Sequence, residues 1–340
     1  MTTSQPTDTG AMIRQLLGDA LAYLYPASLR VAILLEIPEL LAERPRTAAE
    51  LAETTGADAS HLQRILRYLS SRGVFQEDEA SAFHATGLSE PLRADARPSV
   101  RQTVLLLTDD IYWRSTGRLE DIVRGGKTVF DDLFGAPLFE LLARDPERAA
   151  LFDNGIAAIS VIEQEAIAAA YEFTDGATVI DVGGGPGGFL HTVLRRDPSL
   201  SGVLFEQESV LAKHILDDPE LTGRWRTAAG DFFTAVPEGG DFYVLKRVLH
   251  DWNDEDSLKI LRACRAALPE HGRVLVVDAV IPPGNDQHAS KLYDVAMMTI
   301  FDGKERTEEE FTRLLADADL KVARIVPTPG TLSIVEAVPA

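Results

Sequence analysis

Cysteine is all but missing from this 340-residue chain, where Cys264 stands alone. One thiol excludes an internal disulfide and any multi-thiolate zinc site, and with them a small secreted architecture stapled by bridges. Basic residues are also short: 33 Lys and Arg against 53 Asp and Glu leave a net charge of −20. A surface of that sign repels phosphate backbones and anionic lipid, so neither nucleic acid nor a membrane is expected as a partner. No run of about eighteen apolar residues occurs, so no membrane span is expected. The amino terminus, MTTSQPTDTG, has neither a basic n-region nor an apolar h-region, and a cytoplasmic location is the expectation. Internal repeats and low-complexity tracts are lacking too. What remains, 45 % hydrophobic and 25 % charged, is an ordinary globular composition, and 340 residues point to two domains.

Residues 1–100 read as a mainly helical domain. Apolar residues recur three and four apart, as in Ile13, Leu16 and Leu17 and again in Leu62, Ile65, Leu66 and Leu69. Thr47 with Glu50 forms a capping-box start, Gly56 ends that helix, and Asp58 or Ser60 caps the next. After Gly73, the runs Val74 to Gln76 and Ala82 to His84 flank an acidic turn and read as a small β wing. The module is therefore winged-helix-like, which raises DNA binding. Its charge argues otherwise: nine arginines and no lysine stand against thirteen acids, and Arg64, Arg67 and Arg72 face an acidic wing. The apolar stretches Leu16 to Leu24 and Leu29 to Leu35 exceed what so small a module can bury, so they are assigned to dimerisation.

Residues 101–172 read as linking helices broken at Gly117, Gly125-Gly126 and Gly135 to Pro137, forming walls. From 173 to 340 the pattern becomes that of an α/β domain. Thr178 to Val182, Gly202 to Glu206, Asp241 to Leu245 and Arg273 to Asp278 are short β-branched runs separated by helical stretches, as in a mostly parallel sheet. Lys321 to Val326 and Leu332 to Val338 leave no room for a crossover and must pair as an antiparallel hairpin.

The string DVGGGPGG, Asp181 to Gly188, follows the first strand of this domain and opens a helix, the context in which such a loop binds a nucleotide-like ligand. Glycine lets the backbone approach the ligand, and a β-carbon at Gly183 or Gly185 is expected to fill the ligand's space. Two kinds of cofactor satisfy the loop. Gly183-x-Gly185-x-x-Gly188 also fits the dinucleotide pattern of a nicotinamide oxidoreductase, and Glu206 suits a ribose diol in either case.

DVGGGPGG, Glu206, GDFF, LKRVLHDWNDED, VLVVDAVIP and GKERTEEEF follow one another in this order. Together they resemble the class I S-adenosylmethionine-dependent O-methyltransferases of the caffeic-acid and bacterial polyketide type, and the likeness covers nearly the whole chain. It implies a Rossmann-like domain with a seven-stranded, mostly parallel sheet ending in an antiparallel hairpin, preceded by a winged-helix dimerisation domain, and hence a homodimer. It also implies S-adenosyl-L-methionine as cofactor. Gly183, Gly185 and Gly230 would line it, Glu206 would accept from both ribose hydroxyls, Asp231 would face the adenine with Phe232 against the ring, and Lys246 would stand near the methionine portion.

His250 follows the strand ending at Lys246 by one turn, at the carboxyl edge of the sheet, and is assigned as general base. By the same resemblance Asp278 and Glu305 would flank its imidazole and fix the tautomer. Glu305 could alternatively pair with Lys304 or Arg306 at the surface. No carboxylate cluster for Mg²⁺ is recognised, so no metal is expected. Met297, Met298, Ile300 and Phe301 suggest an apolar cavity, with Asp251 and Asp294 as polar contacts and Phe152 and Trp113 as walls. The family has Ala-Met where this chain has Gly155-Ile156. The expected substrate is a small aromatic, hydroxylated secondary metabolite of polyketide or phenolic type, in antibiotic biosynthesis. The rival is a homologue that keeps the cofactor for hydroxylation, decarboxylation or cyclisation.

Overall fold

The computed structural model describes residues 8–340. The chain divides into two compact units, one running to Asp110 and taking in Pro146–Ile159, the other made of Ile111–Asp145 and Ser160–Ala340. The segment 101–172 is thus shared between them, and its longest helix, Pro146–Ala170, contributes to both.

In the first unit the local signals operate as chemistry dictates. Thr47 and Glu50 close a full capping box at the start of Ala48–Thr55, which Gly56 terminates at φ 73°, a left-handed conformation that a β-carbon disfavours. Asp58, not Ser60, caps Ala59–Ser71 by accepting from the His61 N–H at 2.9 Å. That helix buries Leu62, Leu66 and Leu69, one face at helical spacing. Three antiparallel strands complete the unit: β1 (Arg46–Thr47), β2 (Phe75–Glu77) and β3 (Ala82–Ala85), in the order β1-β3-β2. The two-residue β1 has no sequence signal of its own. Arg67 pairs with Glu77 at 3.1 Å, so the charge on this helix is balanced by the wing beside it. The helix Thr9–Ala20 buries no residue, and Leu16 and Leu17 are 68 % and 62 % exposed.

The second unit is built on β4 (Thr178–Val182), β5 (Ser201–Glu206), β6 (Trp225–Ala229), β7 (Phe242–Lys246), β8 (Arg273–Ile281), β9 (Arg306–Thr307), β10 (Leu320–Pro327) and β11 (Leu332–Pro339). The continuous sheet runs β10-β11-β8-β7-β4-β5-β6, and the two-residue β9 pairs with the end of β8. β4 to β8 are parallel, while β11 runs antiparallel to both β8 and β10. Hydrophobic layers cover both faces of the sheet, which is why these strands read as continuous apolar runs rather than alternating ones. β4 is flanked by β5 on one side and β7 on the other, so the strand order reverses there. The carboxyl ends beside that point are where an open α/β sheet offers a crevice.

Candidate active site

The glycine loop leaves β4 at this reversal. Gly183, Gly185 and Gly187 all have positive φ, and the Gly183 N–H donates to the Phe205 carbonyl at 2.9 Å. A β-carbon on Gly183 would lie 3.1 Å from Val248 and 3.3 Å from Phe232, so glycine here allows the loop to pack closely against both side chains. Gly185 is different: a β-carbon there meets nothing within 4 Å, so its backbone borders open space. Asp181, at the base of the loop, is fully buried, and burial pushes its carboxyl up to about 7 against the pull of the Lys246 charge.

The other residues expected around a cofactor cluster at neighbouring strand ends. Glu206 closes β5. Its carboxylate accepts the Gln207 N–H and is held above the usual carboxylate range by burial. Gly230 follows β6, and a β-carbon there would meet the Phe205 ring at 2.5 Å. Asp231 is exposed and accepts from the Phe233 N–H at 2.9 Å, holding its own turn. Phe232 packs edge-on against Phe233 and Trp252. Lys246 ends β7 with its ammonium 3.5 Å from Glu163 and 3.4 Å from the Ser160 hydroxyl, and burial lowers its pKa despite the Glu163 charge. Arg247, left-handed at φ 53°, grips both oxygens of Glu163 through its Nε and Nη2. Neither Glu163 nor Ser160 has a motif around it, and no sequence pattern would have found them.

His250 sits in the 3-10 turn Leu249–Asp251 just beyond β7. Its Nδ1 lies 3.0 Å from Glu305 Oε1 and its Nε2 3.4 Å from Asp251 Oδ1, with the His250 side chain 9 % exposed and that of Glu305 completely covered. Glu305 is therefore not a surface partner of Lys304 or Arg306. An ionised carboxylate only accepts, so in neutral His250 the proton resides on Nδ1 and Nε2 carries the lone pair. Burial pulls the imidazole pKa down. The Asp251 charge, the bond to Glu305 and the Asp278 charge outweigh burial and carry it up to about 9.

Asp278, on β8, is buried with neither carboxylate oxygen hydrogen-bonded, so it acts on His250 through charge alone. Burial raises both Asp278 and Asp251 to about 6. Asp294, expected as a substrate contact, accepts the Glu305 N–H at 3.0 Å and so braces the residue bonded to His250. Met297 and Met298 are half-buried on the helix Ala289–Ile300, and Phe301 follows with its ring 5.8 Å from that of Phe139. Ile300 is core, and Phe152 belongs to the first unit. Tyr112, unmarked by any motif, has its hydroxyl pushed up to about 12 by burial and by the Asp251 charge.

Two family profiles match the chain: an O-methyltransferase domain over residues 116–321 and an O-methyltransferase dimerisation domain over residues 19–94. The chain belongs to the O-methyltransferase family. It is 39 % identical over 319 residues to the phenazine O-methyltransferase PhzM of Lysobacter antibioticus, covering 93 % of each chain. With the mitomycin biosynthesis 6-O-methyltransferase of Streptomyces lavendulae it shares 37 % identity, over 91 % of this chain and 89 % of that one. Among solved structures, the calicheamicin-biosynthesis methyltransferase CalO1 in its SAH-bound form superposes with a TM-score of 0.90 at 42 % identity, over 98 % of this chain and all of that one. The enzyme is an S-adenosylmethionine-dependent O-methyltransferase, with an α/β Rossmann-like domain after a mainly helical dimerisation region. Its own residues suit that cofactor: Gly185 faces open space, and the Glu206 carboxylate at the next strand end has acceptor capacity beyond its single bond to Gln207. Among the described residues no His, Cys, Asp and Glu cluster could hold a metal ion, and no helix is long and apolar enough to cross a membrane.

Proposed function

We propose that this methyltransferase uses His250 as general base on a hydroxyl of a small aromatic secondary metabolite of phenolic or polyketide type. The observation that carries the reading is the buried bond from His250 Nδ1 to Glu305, which leaves Nε2 as the only ring atom able to take a proton. S-adenosylmethionine, when bound, supplies an electrophilic methyl on a sulfonium, and its positive charge lowers the proton affinity of a neighbouring imidazole. Glu206 holds the ribose hydroxyls, Gly183, Gly185 and Gly230 shape the loop edge, Asp231 and Phe232 take the adenine, and Lys246, positioned by Glu163, serves the methionine end.

The energetics favour this base. A phenol of pKa about 10 facing an ordinary imidazole of about 6.5 would make full proton transfer cost roughly 5 kcal/mol. With His250 near 9 before the cofactor binds, the mismatch narrows to about one unit, on the order of 1 kcal/mol. Asp251 and Asp278 supply the charge that stabilises the imidazolium after transfer, and Asp294 secures Glu305 through its backbone. Met297, Met298 and Phe301 are assigned to the acceptor's apolar surroundings, as adaptable packing for a flat ring system. The phenazine and mitomycin relatives support an acceptor of this class.

The exposed apolar face carrying Leu16 and Leu17, immediately before the matched dimerisation domain, supports a homodimer through the amino-terminal helices. A cytoplasmic location agrees with the lack of a membrane-spanning helix among the described residues. The test is incubation with methyl-labelled S-adenosylmethionine and a panel of phenolic polyketides. Label in the ether product is the expected outcome. Product formed without label would overturn methyl transfer in favour of another cofactor-assisted reaction.

A further inference from the structure

Arg306 is an arginine with no exposed surface, and each of its three guanidinium nitrogens donates a hydrogen bond. Nη1 donates to the Leu249 carbonyl at 2.9 Å, and Nη2 donates to the Trp252 carbonyl at 3.0 Å and to the Ser257 hydroxyl at 3.1 Å. Nε and Nη2 both reach Asp254 Oδ1, at 3.0 and 2.9 Å. Leu249 and Trp252 are the residues on either side of His250-Asp251, so one planar fork grips the base-bearing turn before and after the base. The Ser257 hydroxyl repeats the grip, lying 3.2 Å from each of the same two carbonyls.

The segment that delivers this fork also touches the turn directly. A β-carbon on Gly303 would fall 2.0 Å from the His250 carbonyl oxygen, so the two backbones lie in contact. Between Gly303 and Arg306, Glu305 reaches His250 Nδ1 at 3.0 Å. Arg306 itself opens β9, which pairs with Val280 of β8 two residues beyond Asp278. One short stretch therefore holds the backbone of the turn, bonds the imidazole and is tied to the strand carrying the third charge. Stability alone does not account for a buried guanidinium here, because a well-packed apolar residue usually serves a fold as well or better. What an apolar residue cannot do is fix two carbonyls at once, and lysine lacks the planar fork.

We propose that Arg306 is a positioning residue for methyl transfer: by holding the Leu249 and Trp252 carbonyls it sets His250 against Glu305 and keeps Nε2 available to the acceptor. The inference rests on His250 being the base, and the measurement below separates the two. Protein labelled at histidine is titrated by NMR through the imidazole resonances, with His250 assigned by its loss in His250→Gln. Arg306→Lys is expected to lower the His250 midpoint by about one unit or more and to weaken the low-field Nδ1 proton signal shared with Glu305. Ser257→Ala, the milder change, is expected to move both in the same direction by less. Asp254→Asn, which removes the charge partner and leaves both carbonyl bonds, is expected to move neither.

The other six histidines stay where they are, and S-adenosylmethionine affinity by calorimetry changes less than about threefold, since no cofactor-facing residue is altered. With any acceptor that the labelled-methyl assay registers, kcat of Arg306→Lys falls about tenfold or more while KM for S-adenosylmethionine holds. A folded Arg306→Lys protein with an unmoved His250 midpoint overturns the proposal. If that variant does not fold, an unmoved midpoint in Ser257→Ala overturns it. Methyl transfer surviving in His250→Gln would defeat the base assignment while leaving the NMR result to stand alone.

Discussion

Replacing Glu305 by glutamine tests the electrostatic core of the site, because it keeps the side-chain volume in a position with no exposed surface and removes only the charge. His250 is carried from 6.5 to about 9, a net gain for the protonated form of roughly 3 kcal/mol. Burial opposes that gain, and Asp251, Glu305 and Asp278 together supply it. A hydrogen bond to a charged partner contributes about 1.5–3 kcal/mol, so losing the charge of Glu305 should lower the imidazole pKa by about one to two units. In the proposed mechanism the free base is the active form, so the wild-type rate is expected to climb with pH toward the His250 value. In Glu305→Gln the rising limb shifts to lower pH by that amount. The plateau above it falls about tenfold to a hundredfold, since a weaker and less firmly oriented base abstracts the proton less well. Labelled-methyl transfer followed from about pH 6 to pH 10 reads both quantities. A limb that stays in place, or a plateau equal to wild type, would refute the assignment of Glu305 as the partner that tunes the base.

His250→Ala is expected to keep S-adenosylmethionine affinity in calorimetry and to lose at least about a hundredfold in turnover, the usual contribution of a positioned base. Glu206→Ala should act on the other half of the site, raising the cofactor dissociation constant by about tenfold or more through loss of charge-assisted hydrogen bonds to the ribose, with the kcat pH profile unchanged. Stability should also depend on pH with a definite sign. A histidine whose proton affinity is raised in the fold stabilises it fully below 6.5, and that stabilisation is lost as pH rises to about 9. Urea melts across this interval should show unfolding free energy declining in wild type and a smaller decline in His250→Gln.

Much of the fold was legible because its signals are local. Thr47 and Glu50 need only their own backbone to form a capping box, and Pro327 to Gly330 leave too few residues for anything but a hairpin between β10 and β11. The glycine loop was legible as a strand-to-helix turn, but not glycine by glycine. Gly183 and Gly185 look alike in sequence, yet one is crowded by Val248 and Phe232 and the other faces open space. Glu163, which grips Arg247 and Lys246 from more than eighty residues away, gave no signal at all.

Composition and motif order by themselves determined that this is an acidic, two-part chain with a glycine-rich loop between a strand and a helix and a histidine at a strand end. These properties depend on residue identity and near neighbours, and a linear string records both. Tertiary structure alone decided that Glu305 is buried against His250 and not paired at the surface, that Asp278 acts only through its charge, and that Arg306 is spent on two carbonyls. Each of those outcomes depends on how the ends of β7 and β8 and the start of β9 come together. A carboxylate has no fixed pKa and an arginine no fixed partner until packing has settled what surrounds it.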